Sequence, residues 1–112
     1  LFVPFRNPNA IATIDARTGK TLGAVASCGD IDDAFFDGKR DRLYVICGEG
    51  FVVTYDARAE LKETTREPTR PGARTALFVP ELDRLFVVLS ARAGAAAALV
   101  EAEALVAARS VV

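Results

Sequence analysis

Apolar residues occur along this chain in short runs of four to seven, rich in Val, Ile, Leu, Phe and Tyr, and each run is broken by Gly, Pro, Asp or Asn. Such runs are too short for helices, and their β-branched and aromatic content suits a pleated, half-buried surface. They predict strands over Leu1 to Phe5, Ala10 to Asp15 and Thr21 to Ala26, and then over Ile31 to Phe36, Leu43 to Cys47, Phe51 to Tyr55 and Leu61 to Glu67. Turns are predicted at Asp37-Gly38-Lys39, at Cys47-Gly48-Glu49-Gly50 and at Asp56-Ala57-Arg58-Ala59. A hairpin is expected at Asp15-Ala16-Arg17-Thr18-Gly19-Lys20, where Gly19 can take a positive φ and Asp15 can accept backbone donors.

The runs repeat. Leu1-Phe2-Val3 returns as Leu43-Tyr44-Val45 and again as Leu85-Phe86-Val87, 42 residues apart both times. The flanks agree without a gap, since the Phe36 to Leu43 segment matches Phe78 to Leu85 at Phe, Asp, Arg and Leu. A second register, offset by 41, joins Ile14-Asp15-Ala16-Arg17 to Tyr55-Asp56-Ala57-Arg58. An antiparallel unit of four strands recurring at this length is the pattern of a β-propeller blade, a small twisted sheet that buries its faces against neighbouring blades. The expected fold is therefore all-β, with antiparallel four-stranded blades in an incomplete toroid. Residues 1–27 form a blade without its first strand, 28–69 a complete blade, and 70–112 the last blade. Three copies do not close a ring of four to eight blades, so exposed terminal faces and self-association through them are expected. Ala91 to Val112 is alanine-rich, and two readings stay open there. The repeat predicts strands near Ala97 to Glu101 and from Leu105, whereas propensity allows an amphipathic helix.

Composition narrows the chemistry. With 112 residues, 51% hydrophobic and 26% charged, the chain can build one small domain and not a two-domain enzyme. Fourteen basic residues against fifteen acidic ones leave a formal charge of -1, without the positive field that general nucleic-acid binding rests on. The absence of histidine removes the commonest general base and zinc ligand from this segment. A chain that opens at Leu1 and holds no methionine reads as an internal piece or a processed product, and no signal peptide is legible in it. Its longest apolar stretch, Ala95 to Val100, is far short of the roughly 20 residues of a membrane helix, so no membrane span is expected.

The alternation of Asp-Arg-Leu-Tyr-Val (41 to 45) with Thr-Ile-Asp-Ala-Arg-Thr-Gly-Lys (13 to 20) resembles the YVTN family of bacterial β-propellers, over most of the chain to about Val88. Val3-Pro4-Phe5 and Val45-Ile46-Cys47 depart from it, standing where that family often has Val-Thr-Asn. The resemblance implies an exported protein, periplasmic or extracellular and bacterial, usually of seven blades. It supplies no catalytic residues. The Asp15 to Leu22 hairpin is also similar to the blade motif of quinoprotein dehydrogenases, but Leu22 stands where those proteins place a docking tryptophan.

Candidate chemistry gathers on one rim. Because strands alternate in direction, the connection around Cys28 to Asp30, the Cys47 to Gly50 turn and the Thr69 to Arg74 connection must emerge together. That places Asp30, Asp32, Asp33, Glu49, Arg70 and Arg74 at one mouth as candidate ligand-binding residues. It also brings Cys28 and Cys47 to one face, either as free thiols or as a disulfide if their Cα atoms lie within about 7 Å. Gly48-Glu49-Gly50 reads as a tight turn, without the third glycine and following helix of a phosphate loop. The Asp-x-Asp-Asp spacing lacks the glycine and distal glutamate of a calcium loop, so neither metal nor cofactor is expected. Asp41-Arg42 and Asp83-Arg84 are expected to shape turns on the opposite rim. The leading functional reading is a non-catalytic binding or interaction module that presents rim loops to a protein, glycan or small-molecule ligand. The alternative is a propeller-scaffold enzyme of lactonase type whose site would be completed by blades outside this chain.

Overall fold

The computed structural model describes residues 1–89, 91, 97–103 and 108–110. They form three antiparallel sheets, each a meander in which sequence neighbours pair. The first sheet contains β1 (Phe2–Arg6), β2 (Asn9–Ile14) and β3 (Thr21–Ala26). The second contains β4 (Ile31–Asp37), β5 (Arg42–Cys47), β6 (Phe51–Asp56) and β7 (Lys62–Pro68). The third contains β8 (Ala76–Val79), β9 (Arg84–Leu89), β10 (Ala98–Glu103) and β11 (Ala108–Ser110), with one 3-10 turn over Pro80–Leu82. In the alanine-rich stretch, β10 pairs along the whole of β9, from Ala98 opposite Leu89 to Glu103 opposite Arg84. A full row of ladder partners there outweighs alanine's helix propensity, and the expected strand start at Leu105 lies outside the described residues.

The repeat reappears as register. Phe35 lies opposite Tyr44 in the second sheet, and Leu77 lies opposite Phe86, each 42 positions on, in the third. In the same way Phe2 lies opposite Thr13 and Tyr44 opposite Thr54. Equal register puts equivalent side chains on equivalent faces, because successive residues of a strand point to opposite sides.

Two apolar layers follow from that alternation. Leu43, Val45 and Cys47 on β5, with Val53 and Tyr55 on β6, meet Ile11 and Phe2 of the first sheet. The intervening residues Tyr44, Ile46 and Val52 turn the other way and meet Phe78, Leu85, Val87 and Leu89 of the third sheet. The middle sheet is thus covered on both faces, and Val45, Ile46, Cys47 and Val53 are all 0% exposed. One aromatic contact occurs in both layers. Phe2 and Phe36 have ring centroids 5.7 Å apart, and Tyr44 and Phe78, their equivalents one unit on, 5.4 Å. The stack measures 47 × 32 × 20 Å and does not close on itself.

Candidate functional site

Alternate connections gather at one end of the stack, where backbone hydrogen bonds weld them together. The Gly48 amide donates to the Asp30 carbonyl at 2.6 Å, the Gly72 amide to the Gly48 carbonyl at 2.6 Å, and the Thr69 amide to the Gly50 carbonyl at 2.8 Å. Gly50 has φ 118°, and a Cβ built on it would lie 3.1 Å from the Pro71 nitrogen, so a glycine is needed where the third sheet's entry crosses the second sheet's turn.

Two carboxylates and two guanidinium groups meet on this rim. A bulge between Ile31 and Asp33 leaves Asp32 as the extra residue of β4 and re-aims its side chain, which is only 10% exposed. Arg6, at the end of β1, donates through Nη2 to Asp32 Oδ1 and through Nε to the Ile31 carbonyl at 2.8 Å, and its Nη1 is 3.7 Å from Asp30 Oδ1. From the other side, Arg74 Nη2 donates to Asp30 Oδ2 at 2.7 Å, and its Nε is 3.8 Å from Asp32 Oδ2. The second sheet's acidic entry is therefore clamped by an arginine from each neighbouring sheet. The second oxygen of Asp32 is buried with no hydrogen-bond partner, and so is Thr69 Oγ1 on the same rim. Buried polar atoms are normally satisfied, so each of these two oxygens keeps an unused hydrogen-bonding capacity on the rim. Gly48 permits the approach, since a Cβ there would stand 2.8 Å from Asp32 Oδ2.

The other expected rim residues are placed differently. Asp33 is exposed and its Oδ1 accepts from the Ala34 amide at 2.9 Å, outside the cluster. Glu49 is 3.7 Å from Arg66, which donates to Glu63 at 2.8 Å and lies 5.4 Å above the Phe51 ring. Arg70 lies on the rim, where its backbone passes over Gly50 and its carbonyl accepts from the Ala73 amide at 2.9 Å. Sequence reasoning missed Arg6, Arg66 and Thr69. A signal for Arg6 was present, because it is the 42-residue equivalent of Gly48, a position that lies against Asp30. No group of three or more His, Cys, Asp or Glu fit to hold a metal ion occurs among the described residues.

Cys28 and Cys47 form a disulfide with Cα atoms 6.0 Å apart. It ties the connection into the second sheet to the end of β5, directly beneath Asp30 and Gly48, and both residues are buried. Of the two states open at the sequence level, the oxidised one is formed.

The opposite rim carries a second charged cluster. Asp37, 2% exposed, accepts from Tyr44 Oη at 2.8 Å, from Arg40 Nη1 at 3.1 Å and from the Lys39 amide at 3.1 Å. Arg40 also donates to Asp83 at 3.0 Å, linking the second sheet to the third. Burial pushes the Asp37 carboxyl up, but the hydrogen bonds from Tyr44 and Arg40 together outweigh it and hold the group below its ordinary value. Burial first, and the neighbouring Asp37 second, push the Tyr44 phenol well up. Asp41 and Asp83 have φ 50° and 52°, so the repeated Asp-Arg pairs do shape left-handed turns there. Between the first and second sheets, Thr13, Leu22, Val25, Ala59 and Leu61 line an open cleft of about 300 Å³.

No protein-family model, curated protein or solved structure matches the chain. Its all-β fold, its disulfide and the lack, among the described residues, of a helix long and apolar enough to cross a membrane fit a secreted domain, since disulfides persist in oxidising compartments.

Proposed function

We propose that the chain is a segment of a YVTN-type β-propeller, exported to the periplasm or cell exterior, that serves as a non-catalytic binding module through the Arg6, Asp30, Asp32 and Arg74 rim. The repeat of 42 residues, the equal register of the sheets and the recurring aromatic contact support consecutive blades, the first without its first strand. The observation that carries the binding reading is that Asp32 Oδ2 and Thr69 Oγ1, both on the rim where the inter-sheet connections converge, are buried without a hydrogen-bond partner. Each of the two oxygens can accept from a hydroxyl or ammonium donor of a polar ligand or a partner side chain, as a glycan or an amino alcohol carries.

Ethanolamine, which carries one of each donor, is a suitable probe. Titrated into the ¹⁵N-labelled chain, it is expected to give saturable shifts at the amides of Asp32, Gly48 and Thr69, and Asp32→Asn is expected to weaken them at least tenfold. Shifts absent from this rim, or unchanged in Asp32→Asn, would overturn the reading.

A further inference from the structure

The last strand of the first sheet is an unprotected edge. β3 pairs with β2 alone, as β7 pairs with β6 alone, so each borders its sheet. β7 is blunted by Lys62, Glu63, Arg66, Glu67 and Pro68, and charges and proline keep an edge from pairing with foreign strands. β3 reads Thr-Leu-Gly-Ala-Val-Ala, with neither charge nor proline, and only Val25 in it is even partly covered. Its backbone is presented as well. The Ser27 amide donates to the Asn9 carbonyl at 3.0 Å, and bonding residues alternate along an antiparallel ladder. Gly23 and Val25 therefore bond to β2, while Ala24 and Ala26 turn their amides and carbonyls outward. β3 lies on the far side of β2 from β1. A strand added before Leu1 would pair at β1, and a preceding blade would stack on the sheet's other face, so neither covers this border.

Beside this border opens the cleft of about 300 Å³ between the first and second sheets. Gly23 keeps it open, since it carries no side chain on the face it shares with Val25, and a Cβ built on it would meet nothing within 4 Å. Leu22, Val25 and Leu61 give the cleft apolar walls. Glu60 adds a carboxylate that has no hydrogen-bond or ion-pair partner among the described residues. Arg17 and Lys20 precede β3 and do not line the cleft. A volume at the lower end of the range for small-molecule sites takes one long side chain. We propose that β3 is a docking site for an extended, basic segment of a partner protein. The segment adds to the sheet as a further strand and lays one lysine or arginine along the cleft, its apolar stem against Leu22 and Leu61 and its cation at Glu60. Charge complementarity selects the occupant: the outward backbone groups demand an extended chain, and the unpaired carboxylate at the end of an apolar channel demands a cation on an apolar stem. The site shares no residue with the Arg6 to Arg74 rim and does not rest on the reading given for that rim.

The probe is the peptide acetyl-Val-Thr-Val-Lys-Val-Thr-Val-amide, a strand former with one lysine. Titrated into the ¹⁵N-labelled chain, it is expected to give saturable shifts at the amides of Gly23, Ala24 and Ala26. With its lysine opposite Gly23, the flanking valines stand opposite Leu22 and Ala24 and exchange bonds at this edge. N-methylation of the valines should therefore weaken binding at least tenfold, and so should replacing the lysine by glutamate. Glu60→Lys should reverse the preference, losing the lysine peptide and gaining the glutamate one, an exchange that a misfolded variant would not give. Gly23→Leu fills the cleft from within and should weaken the lysine peptide at least tenfold, with a Tm no lower than wild type because the new side chain enters open space. Shifts absent from β3, a valine-methylated peptide that binds like its parent, or a Glu60→Lys variant that keeps the original preference would each overturn the proposal. So would Ala24 and Ala26 signals that move with protein concentration when no peptide is present, which would assign the border to a second copy of the chain.

Discussion

Asp37 shows how much one buried side chain can organise. Three donors converge on it, and one of them, Arg40, carries the link onward to Asp83 in the next sheet. Removing the carboxylate would take the Asp37 acceptor from the Tyr44 hydroxyl and leave the Arg40 guanidinium only its bond to Asp83. Asp37→Ala is therefore expected to cost about 3 kcal/mol of stability, measured by urea unfolding at pH 7. The pH dependence follows from the sign of the shift. Asp37 is held below its unfolded value, so its contribution is complete above the ordinary carboxylate range and fades as pH falls through the folded value. Asp56, brought to about 2 by the Arg58 side chain, acts in the same direction. Thermal unfolding of wild type should lose stability below about pH 4, and Asp37→Asn should flatten that loss; an unchanged slope would rule out Asp37 as a contributor. Gly50 makes the opposite kind of demand, on the backbone. With φ 118° and Pro71 only 3.1 Å from where a Cβ would stand, Gly50→Ala is expected to destabilise by about 1–3 kcal/mol in the same assay. The turn at Asp37 and the tight turn ending in Gly50 were legible as local punctuation. Their partners Asp83 and Pro71 were not, because nothing in a local pattern shows which distant loop arrives at the same rim.

At the level of elements, periodicity served well wherever a strand has a clear inside. β3 was placed to the residue, and the boundaries of β5 and β6 moved by one. β7 is the instructive case, because Lys62–Pro68 is mostly exposed and weakly apolar, and the strand expected over Leu61 to Glu67 moved by one residue at each end. The disulfide closes a span of 19 residues between the first connection and β5, so it should contribute about 3 kcal/mol by constraining the unfolded chain. The double substitution Cys28→Ser and Cys47→Ser should lower the urea midpoint accordingly. Alkylation of the unreduced, denatured chain followed by mass spectrometry should label neither cysteine, and two labelled thiols would contradict the bridge. Leu22 offers a gain instead of a loss. It stands at the hairpin position where a tryptophan was missed in the sequence, and it lines the open cleft against Ala59 and Leu61. Leu22→Trp is expected to raise Tm by a few degrees by burying apolar area in that cleft, and a lower Tm would show that the ring does not enter it.

For the molecule as a whole, stability rests on stacking, because each sheet alone has too little core. The middle sheet is covered twice and the outer sheets once, an asymmetry that leaves Leu1, Leu77 and Val88 in water. The sequence by itself determined the unit: its length, its strand order and the alternation that sends Leu43, Val45 and Cys47 one way and Tyr44 and Ile46 the other. Those properties are local or periodic, and a period of two residues or of forty-two can be read from one chain. Only the tertiary structure decided what lies between units. It clamped Asp30 and Asp32 between Arg6 and Arg74, turned Asp33 away, and oxidised Cys28 with Cys47. Those outcomes depend on the few ångströms separating loops that are distant in sequence, and the angle at which one sheet lies on the next sets that separation.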